Sequence, residues 1–152
     1  MSDMHYSDIG FNSGRDYKPW TAYGQAKTAN ILFTVGLNQR LHGKGARSFA
    51  LHPGSVQSGL QKNMTKELSE EAMAIWKDLG QEMPERKTLQ QGCATTLRAA
   101  LDPSLEDEKR VFLQDCQVWG EEKKVRGYAV DVGNARKCWE SSEEMVGEKF
   151  EY

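Results

Sequence analysis

The sequence predicts an α/β protein in which helices alternate with the strands of a small parallel sheet. A segment with helical spacing of apolar residues, residues 21–41, precedes a short apolar segment that ends at Pro53-Gly54. A second helical segment, residues 88–101, precedes another short apolar segment at residues 110–117. Strands that alternate with helices are typical of parallel sheets, because two parallel neighbours need a long crossover between them.

The composition fits one folded domain and excludes several classes of partner. The chain has 152 residues, of which 38% are hydrophobic, enough for one modest core. There are 20 basic and 22 acidic residues, so the net charge of -2 gives no indication of a nucleic-acid partner. The longest apolar run, residues 72–76, is too short for a transmembrane helix, and residues 1–20 lack the apolar core of a secretory signal. We therefore expect a cytoplasmic protein with no transmembrane segment.

The three cysteines, Cys93, Cys116 and Cys138, are far apart in the sequence and form no C-x-x-C pair. The three histidines are equally scattered. This pattern predicts reduced thiols, with neither a disulfide framework nor a metal site.

The elements follow in order from local signals. Residues 1–20 predict a loop, because glycine and proline interrupt them and no apolar period is sustained. Residues 21–41 predict the clearest helix, with Pro19 where a helix begins and Gly43 just beyond its end. Residues 47–52 predict a strand, since they form a short apolar segment closed by Pro53-Gly54.

The second half of the chain is predicted to be mostly helical. Residues 61–84 are polar with apolar residues at loose helical spacing, which indicates a mobile helical excursion. Residues 88–91, T-L-Q-Q, have the spacing of a capping box for a helix that ends near Leu101, before Asp102-Pro103. Residues 110–117 predict a second strand, and Asn134 is placed to cap a last helix that ends at Gly147.

Tyr23 and Lys27 lie four positions apart in the clearest helix, a spacing that puts both side chains on one face. The pKa of a phenol is about 10, so an unassisted tyrosine is a poor acid or base at neutral pH. A neighbouring ammonium stabilises the phenolate and lowers the pKa of a tyrosine toward the working range. Such a pair suits proton transfer to or from a hydroxyl or carbonyl oxygen.

Both motifs also have purely structural interpretations, without a catalytic role. A Tyr–Lys pair at this spacing also arises by chance, as the exposed face of an amphipathic helix with a solvated lysine. Pro53-Gly54 alone is equally typical of an ordinary turn. The order and context of the two motifs weigh against these interpretations.

That order resembles the second half of the short-chain dehydrogenase/reductase family, and most of all its retinol-dehydrogenase-like branch. The similarity rests on Y-G-Q-A-K-T-A-N-I-L-F at residues 23–33 and on H-P-G-S-V-Q-S at residues 52–58. It continues through residues 91–92 and 99–101 into the last helix, and so covers nearly all of the chain from about Trp20.

The resemblance implies an oxidoreductase that uses NADP or NAD and acts on a hydroxyl or carbonyl group. Tyr23 would donate or accept the proton, and Lys27 would assist it and contact the nicotinamide ribose. Pro53, Gly54 and Val56 would line the nicotinamide, with the Val56 backbone facing the carboxamide. These assignments are expectations from the family.

Two positions depart from the family's usual pattern. Ala26 stands where the branch commonly has serine, which removes a hydroxyl but touches neither proposed catalytic group. Ser58 stands where the family usually has threonine; it keeps the hydroxyl for a cofactor contact and loses a methyl group. Residues 61–84 match the variable substrate lid, where Met64 and Trp76 either face an apolar substrate or belong to an ordinary core.

The family's catalytic asparagine would precede Met1, and its catalytic serine ends the strand before the tyrosine helix. In this branch a histidine often follows that serine by three residues. S-D-M-H at residues 2–5 is similar, which makes Ser2 a candidate. The alternative is a terminal serine with no role.

The family's first half is missing from the sequence. A Rossmann-type site holds the pyrophosphate on a glycine-rich turn between the first strand and helix, and no G-x-G-x-x-G occurs here. The resemblance therefore predicts the C-terminal part of a Rossmann-type, doubly wound parallel sheet, without its dinucleotide-binding half. This single partial domain would comprise a loop (1–20), the catalytic helix, strand and Pro-Gly loop (21–60), the substrate lid (61–84) and the C-terminal helices and strand (85–152).

Two functions follow from this expectation. In the first, the sequence belongs to an NAD(P)-dependent oxidoreductase of a small hydrophobic alcohol or carbonyl compound, and the chain alone is inactive because it cannot hold the cofactor's diphosphate. In the second, the chain is a non-catalytic truncated protein that associates with a full-length relative. Uncovered sheet edges and apolar faces favour association in either case, including homo-oligomers.

Overall fold

The computed structural model describes residues 2–80, 84–120 and 125–151. It shows an α/β chain with a small mixed sheet, which agrees with the predicted class but not with a wholly parallel sheet. Its helices are α1 (Pro19–Arg40), α2 (Lys66–Asp78), α3 (Leu89–Leu101), α4 (Gly127–Val130) and α5 (Val132–Val146), and its strands are β1 (Ala50–His52), β2 (Ser55–Val56), β3 (Arg86–Lys87), β4 (Phe112–Gln114) and β5 (Gln117–Trp119).

Helix α1 confirms the clearest prediction of the sequence. It begins at Pro19, where the fixed φ of proline suits the first turn and its missing N–H leaves no intrahelical bond unmade. It ends where the Leu41 N–H donates to the Leu37 carbonyl, two residues before Gly43. Within the described part, no helix is both long and apolar enough to cross a membrane.

The main sheet has the order β1-β4-β5. Strands β1 and β4 are parallel, as the sequence predicted, and the structure shows that Leu51 lies opposite Leu113. The prediction of one strand over residues 110–117 was wrong, because β5 turns back and pairs antiparallel with β4. Asp115 and Cys116, at φ of 52° and 54°, form the turn of this hairpin. Two successive left-handed residues reverse a strand with the twist that a tight hairpin needs.

A second, two-stranded sheet pairs β2 with β3 in parallel, with Val56 opposite Lys87. Helix α3 follows β3 directly and begins with the predicted capping box. The Thr88 hydroxyl accepts from the Gln91 N–H at 3.2 Å, and the Gln91 side chain accepts from the Thr88 N–H at 2.8 Å. The capping-box prediction is therefore confirmed in both of its hydrogen bonds.

The cap predicted for the last helix was wrong. Asp131, not Asn134, caps α5, and its carboxylate accepts from the Asn134 N–H at 2.7 Å. The Asn134 amide instead donates to the Tyr128 carbonyl at 3.1 Å. An ionised carboxylate at a helix start also interacts favourably with the helix dipole, which explains its use here. The predicted end at Gly147 is confirmed.

The core lies between α1 and α5. Leu32 and Val35 of α1 pack with Ala135 and Cys138 of α5, and all four are buried. The predicted N-terminal loop covers one end of this core. Its Tyr6 hydroxyl donates to the Asn134 carbonyl at 2.9 Å.

The segment at residues 61–84 is helical in part, as predicted. A 3-10 helix, Gly59–Asn63, leads into α2, whose cap is the Thr65 hydroxyl. Helix α2 has no buried residue, so it lies on the surface rather than in the core. Residues 81–83 of the predicted lid lie outside the described residues.

Candidate functional site

The residues predicted to carry chemistry lie near the N-terminal half of α1 and the carboxyl end of β1. In α/β sheets, ligands commonly bind just outside the carboxyl ends of the strands. The Pro53-Gly54 turn leaves β1 at that end, and Asp115 leaves the neighbouring strand β4 at the same end.

Tyr23 and Lys27 share one face of α1, as the spacing predicted. The Lys27 ammonium lies 5.4 Å from the centre of the Tyr23 ring, within the range of a cation–π contact. Tyr23 is 48% exposed. Across residues 2–80, 84–120 and 125–151, the Tyr23 hydroxyl has no hydrogen bond and Lys27 pairs with no carboxylate. Both polar groups are therefore available to a ligand.

His52 is the last residue of β1 and lies beside the turn at Pro53-Gly54. Burial lowers the pKa of His52; the Asp115 carboxylate opposes this effect, while the charges of Lys87 and Lys27 add to it. Its Nδ1 accepts from the Gly54 N–H at 3.1 Å, which fixes the turn after β1.

The Pro53-Gly54 turn is shaped by a close contact with Lys87. Gly54 has φ of +90°, a conformation that glycine adopts readily. A Cβ atom at this position would lie 2.7 Å from Lys87 Cδ and 2.8 Å from Lys87 Nζ. The Lys87 ammonium also pairs with Asp115, so its side chain spans from the turn after β1 to the turn after β4. Sequence patterns did not single out Lys87 or Asp115, because a contact between them depends on how the strands align.

Val56 packs directly on α3. A Cβ atom at Gly92 would lie only 2.6 Å from Val56 Cγ2, so the bare glycine lets the helix approach the loop. The Val56 carbonyl accepts from the Gln61 amide at 3.1 Å, and the Val56 N–H donates to the Gly54 carbonyl at 3.1 Å. Both backbone groups of Val56 are engaged within the chain.

Ser58 acts as a helix cap in this structure. Its hydroxyl accepts from the Leu60 N–H at 3.3 Å and so begins the 3-10 helix, Gly59–Asn63. This cap lies between the Pro-Gly loop and the segment predicted to be a lid.

Ser2 lies on a different face of α1 from Tyr23. Its carbonyl accepts from the Thr28 hydroxyl at 2.8 Å, and its own hydroxyl lies 3.1 Å from His5 Nε2. Five positions separate Thr28 from Tyr23, which is about 140° around a helix. The structure therefore anchors the N-terminal segment on α1 at Thr28, and among the described residues no hydrogen bond joins Ser2 to Tyr23.

Trp20 is a neighbour of Tyr23 that the sequence patterns missed. The two rings meet edge to face, with centroids 6.0 Å apart and an interplanar angle of 77°. The i, i+3 spacing of two aromatic residues in a helix was the available signal. Of the two predicted lid residues, Met64 is exposed and Trp76 is half-buried.

Comparisons with known proteins agree with the resemblance seen in the sequence, although no family model matches the chain. The chain is 33% identical over 153 residues to "Short-chain dehydrogenase/reductase prx1" of Penicillium roqueforti, covering 96% of this chain and 43% of the relative. It is 36% identical over 135 residues to "Probable oxidoreductase" of Streptomyces antibioticus, covering 83% of this chain and 45% of the relative. It is 32% identical over 148 residues to human "Retinol dehydrogenase 14", covering 93% of this chain and 41% of the relative.

The chain thus spans less than half the length of these curated relatives. The match to the Penicillium relative covers 96% of this chain, so it includes both the Tyr–Lys helix and the Pro-Gly loop. Over nearly all of its length, the chain is similar to short-chain dehydrogenase/reductases and retinol dehydrogenases.

Proposed function

We propose that this chain carries the proton-transfer residues of an NAD(P)-dependent oxidoreductase that acts on a small apolar alcohol or carbonyl compound. The observation that supports this most directly is the Tyr23–Lys27 pair. Its hydroxyl and ammonium are unpaired within the described part and lie on one exposed face beside the carboxyl end of β1.

In the proposed reaction, the Tyr23 oxygen accepts the hydroxyl proton as the substrate C–O bond becomes C=O, and it returns that proton in reduction. A bound nicotinamide would accept the hydride in oxidation and donate it in reduction. The Lys27 ammonium lies 5.4 Å from the centre of the Tyr23 ring, on the same face of α1. Its remaining donors are available to ribose hydroxyls.

The residues present fit only one end of a dinucleotide. Tyr23 and Lys27 offer unpaired polar groups for the nicotinamide ribose, and the Pro53-Gly54 turn follows the carboxyl end of β1. The sequence contains no glycine-rich strand-to-helix turn for the diphosphate. We therefore propose that this chain alone binds NADPH or NADH weakly and that turnover needs the rest of a longer protein.

An apolar substrate fits the surface of the lid segment. Leu60, Met64, Met73 and Ile75 are all exposed there, on the 3-10 helix, on α2 or between them. Retinol dehydrogenases among the relatives support the same substrate class for this chain. Exposed apolar groups of this kind are typical of surfaces that close over an apolar ligand.

The test compares Tyr23→Phe with a matched control, Tyr17→Phe, in the native protein that contains this sequence. Mass spectrometry of that protein first establishes its N-terminus. Loss of a general acid or base reduces turnover by about 10²- to 10⁴-fold. Tyr17 is 58% exposed and lies outside α1, so removal of its hydroxyl in Tyr17→Phe leaves turnover unchanged. Equal turnover by wild-type protein and Tyr23→Phe would contradict the proposal.

The second candidate is a non-catalytic protein that associates with a full-length relative. It is favoured by β1, which pairs with β4 on one side and, among described residues, has no strand on the other. An unpaired parallel edge can accept another strand. Light scattering of the chain with and without a full-length relative tests this candidate. A chain that stays monomeric in both samples excludes it.

A further inference from the structure

Trp20 connects α1 to α2 through a hydrogen bond to Leu68, 48 positions further along the sequence. It lies in the first turn of α1, and its indole N–H donates to the Leu68 carbonyl of α2 at 3.1 Å. Considering only described residues, this is the one hydrogen bond between α1 and α2. Because α2 has no buried residue, little apolar packing fixes its position. The indole bond is therefore a principal tie between the lid and the body of the protein.

The same indole contacts the ring of Tyr23. The edge-to-face geometry, with centroids 6.0 Å apart, is a favourable arrangement for two aromatic rings. Lys27 lies over the Tyr23 ring, 5.4 Å from its centre. Trp20, Tyr23 and Lys27 occupy positions i, i+3 and i+7, which share one face of a helix. The tyrosine ring is thus flanked by the indole and by the ammonium.

We propose that Trp20 is a positioning residue that couples the position of α2 to the orientation of the Tyr23 ring. Its polar edge holds α2, and its ring restricts the rotamers of the tyrosine. When α2 is in place over a substrate, Tyr23 is held in one orientation; when α2 moves away, the indole loses its anchor and the tyrosine ring gains freedom. This inference rests on the proposed function of Tyr23.

Two substitutions separate the two contacts. Trp20→Phe keeps an aromatic ring beside Tyr23 and removes the N–H donor, whereas Trp20→Leu removes both. Trp119→Phe is the matched control, because the Trp119 indole also donates to a backbone carbonyl at 3.1 Å, that of Gln114, but in the sheet. All three variants are made in the native protein.

Amide hydrogen exchange across residues 66–78 is the first measurement, and it does not depend on activity. Loss of one hydrogen bond at the first turn of α2 accelerates exchange there by about 2- to 12-fold in both Trp20 variants. Trp119→Phe leaves this exchange unchanged. Exchange in α2 that matches wild type in Trp20→Phe would overturn the inference.

The NMR resonances of isotopically labelled tyrosine give the second measurement. Trp20→Leu shifts the ring signals of Tyr23, because the indole no longer faces them, and Trp119→Phe does not. Kinetics give the third: Trp20→Phe raises KM for an apolar substrate and also lowers kcat, because the ring beside Tyr23 has lost its anchor to α2, and Trp20→Leu lowers kcat further. Unshifted Tyr23 signals in Trp20→Leu would also overturn the inference.

Failure of the proposed function has a different signature. If Tyr23→Phe keeps full turnover while both Trp20 variants change exchange and ring signals, the catalytic role of Tyr23 is wrong and the coupling through Trp20 stands. If Tyr23→Phe abolishes turnover while α2 exchange is unaffected by Trp20→Phe, the coupling is wrong and the proposed function stands.

Discussion

The two sides of α1 are built in opposite ways. The side that faces α5 buries Leu32 and Val35. Trp139 of α5 is buried beside them and contacts side chains of α1. The Phe33 ring stacks on Trp139 at 5.4 Å, and the Arg40 guanidinium lies 3.9 Å from that ring. The other side exposes Tyr23 and its lysine, with polar groups that are unpaired in the part of the chain that the structure describes.

The packed side also satisfies its buried charge. Glu143 on α5 accepts from the Trp139 indole at 2.8 Å, from the Phe150 N–H at 2.9 Å and from the Lys149 ammonium at 2.9 Å. A buried carboxylate needs such donors, because burial without them is strongly unfavourable. The side that faces α5 therefore stabilises the fold and has few polar groups to spare.

The contrast separates stability from chemistry on a single helix. A group that is to react must keep its hydrogen-bonding capacity, whereas a group that stabilises the fold must use it. Substitutions on the packed side are therefore expected to change unfolding, and those on the open side to change activity. The following predictions test that division.

The largest stability effect is expected at Leu32, which is fully buried between α1 and α5. Leu32→Ala leaves a cavity and lowers the free energy of unfolding by about 2–5 kcal/mol. The control is Leu101→Ala at the exposed end of α3, where the residue is 74% exposed and the change is within about 0.5 kcal/mol. Urea unfolding followed by circular dichroism measures both. A similar loss in the two variants would break the contrast.

The next effect is expected where α3 meets the Pro-Gly loop. Gly92→Ala places a methyl group against Val56, and overpacking of this kind lowers stability by about 1–3 kcal/mol. Val56→Ala removes the two γ-carbons, so the double variant recovers part of that loss. Thermal unfolding of the two single variants and the double variant gives the coupling between them.

Gly59→Ala is the control for that cycle, because a Cβ atom there meets nothing within 4 Å. Its unfolding temperature stays close to wild type. Additive effects of Gly92→Ala and Val56→Ala would show that the two positions do not contact each other, and the loop would then be positioned by something other than this helix.

Much of the fold was predictable because its signals are local. The Thr88–Gln91 capping box, Pro19 at the start of α1 and the Pro53-Gly54 turn each act over a few residues, and the structure confirms all three. The parallel pairing of β1 and β4 also followed from the alternation of strands and helices. The Tyr23–Lys27 pair needed only helical spacing to be found.

The remaining features depend on long-range contacts or on choices between similar residues. Asp131 and Asn134 are both good cap residues three positions apart, so the local pattern did not decide between them. The hairpin turn at Asp115-Cys116 lacks glycine, which is the usual sign of such a turn. The contact of Trp20 with α2 could not be predicted, because its acceptor is a backbone carbonyl 48 positions away and carries no sequence signal.

The two regions are finally expected to respond to acid at different pH. Burial lowers the pKa of His52, so the unfolded chain binds a proton there more readily than the folded chain. Above about pH 6.5 His52 is neutral in both states and costs no free energy of unfolding; below it, protonation favours the unfolded chain and stability falls. The Phe150 N–H and the Lys149 ammonium lower the pKa of Glu143 to about 2, so its contribution is complete above about pH 4.5 and is lost between there and about pH 2.

Thermal unfolding from pH 8 to pH 3 separates these contributions in His52→Gln and Glu143→Gln. His52→Gln flattens the fall in Tm just below pH 6.5, whereas Glu143→Gln lowers Tm at neutral pH and approaches wild type as the pH falls below 4.5. The exposed residues His42 and Glu144 provide the controls His42→Gln and Glu144→Gln, which change neither range. If His52→Gln also removed the fall below pH 4.5, the strand ends and the α1–α5 core would titrate as one unit, and the separation of the two sides of α1 would not hold.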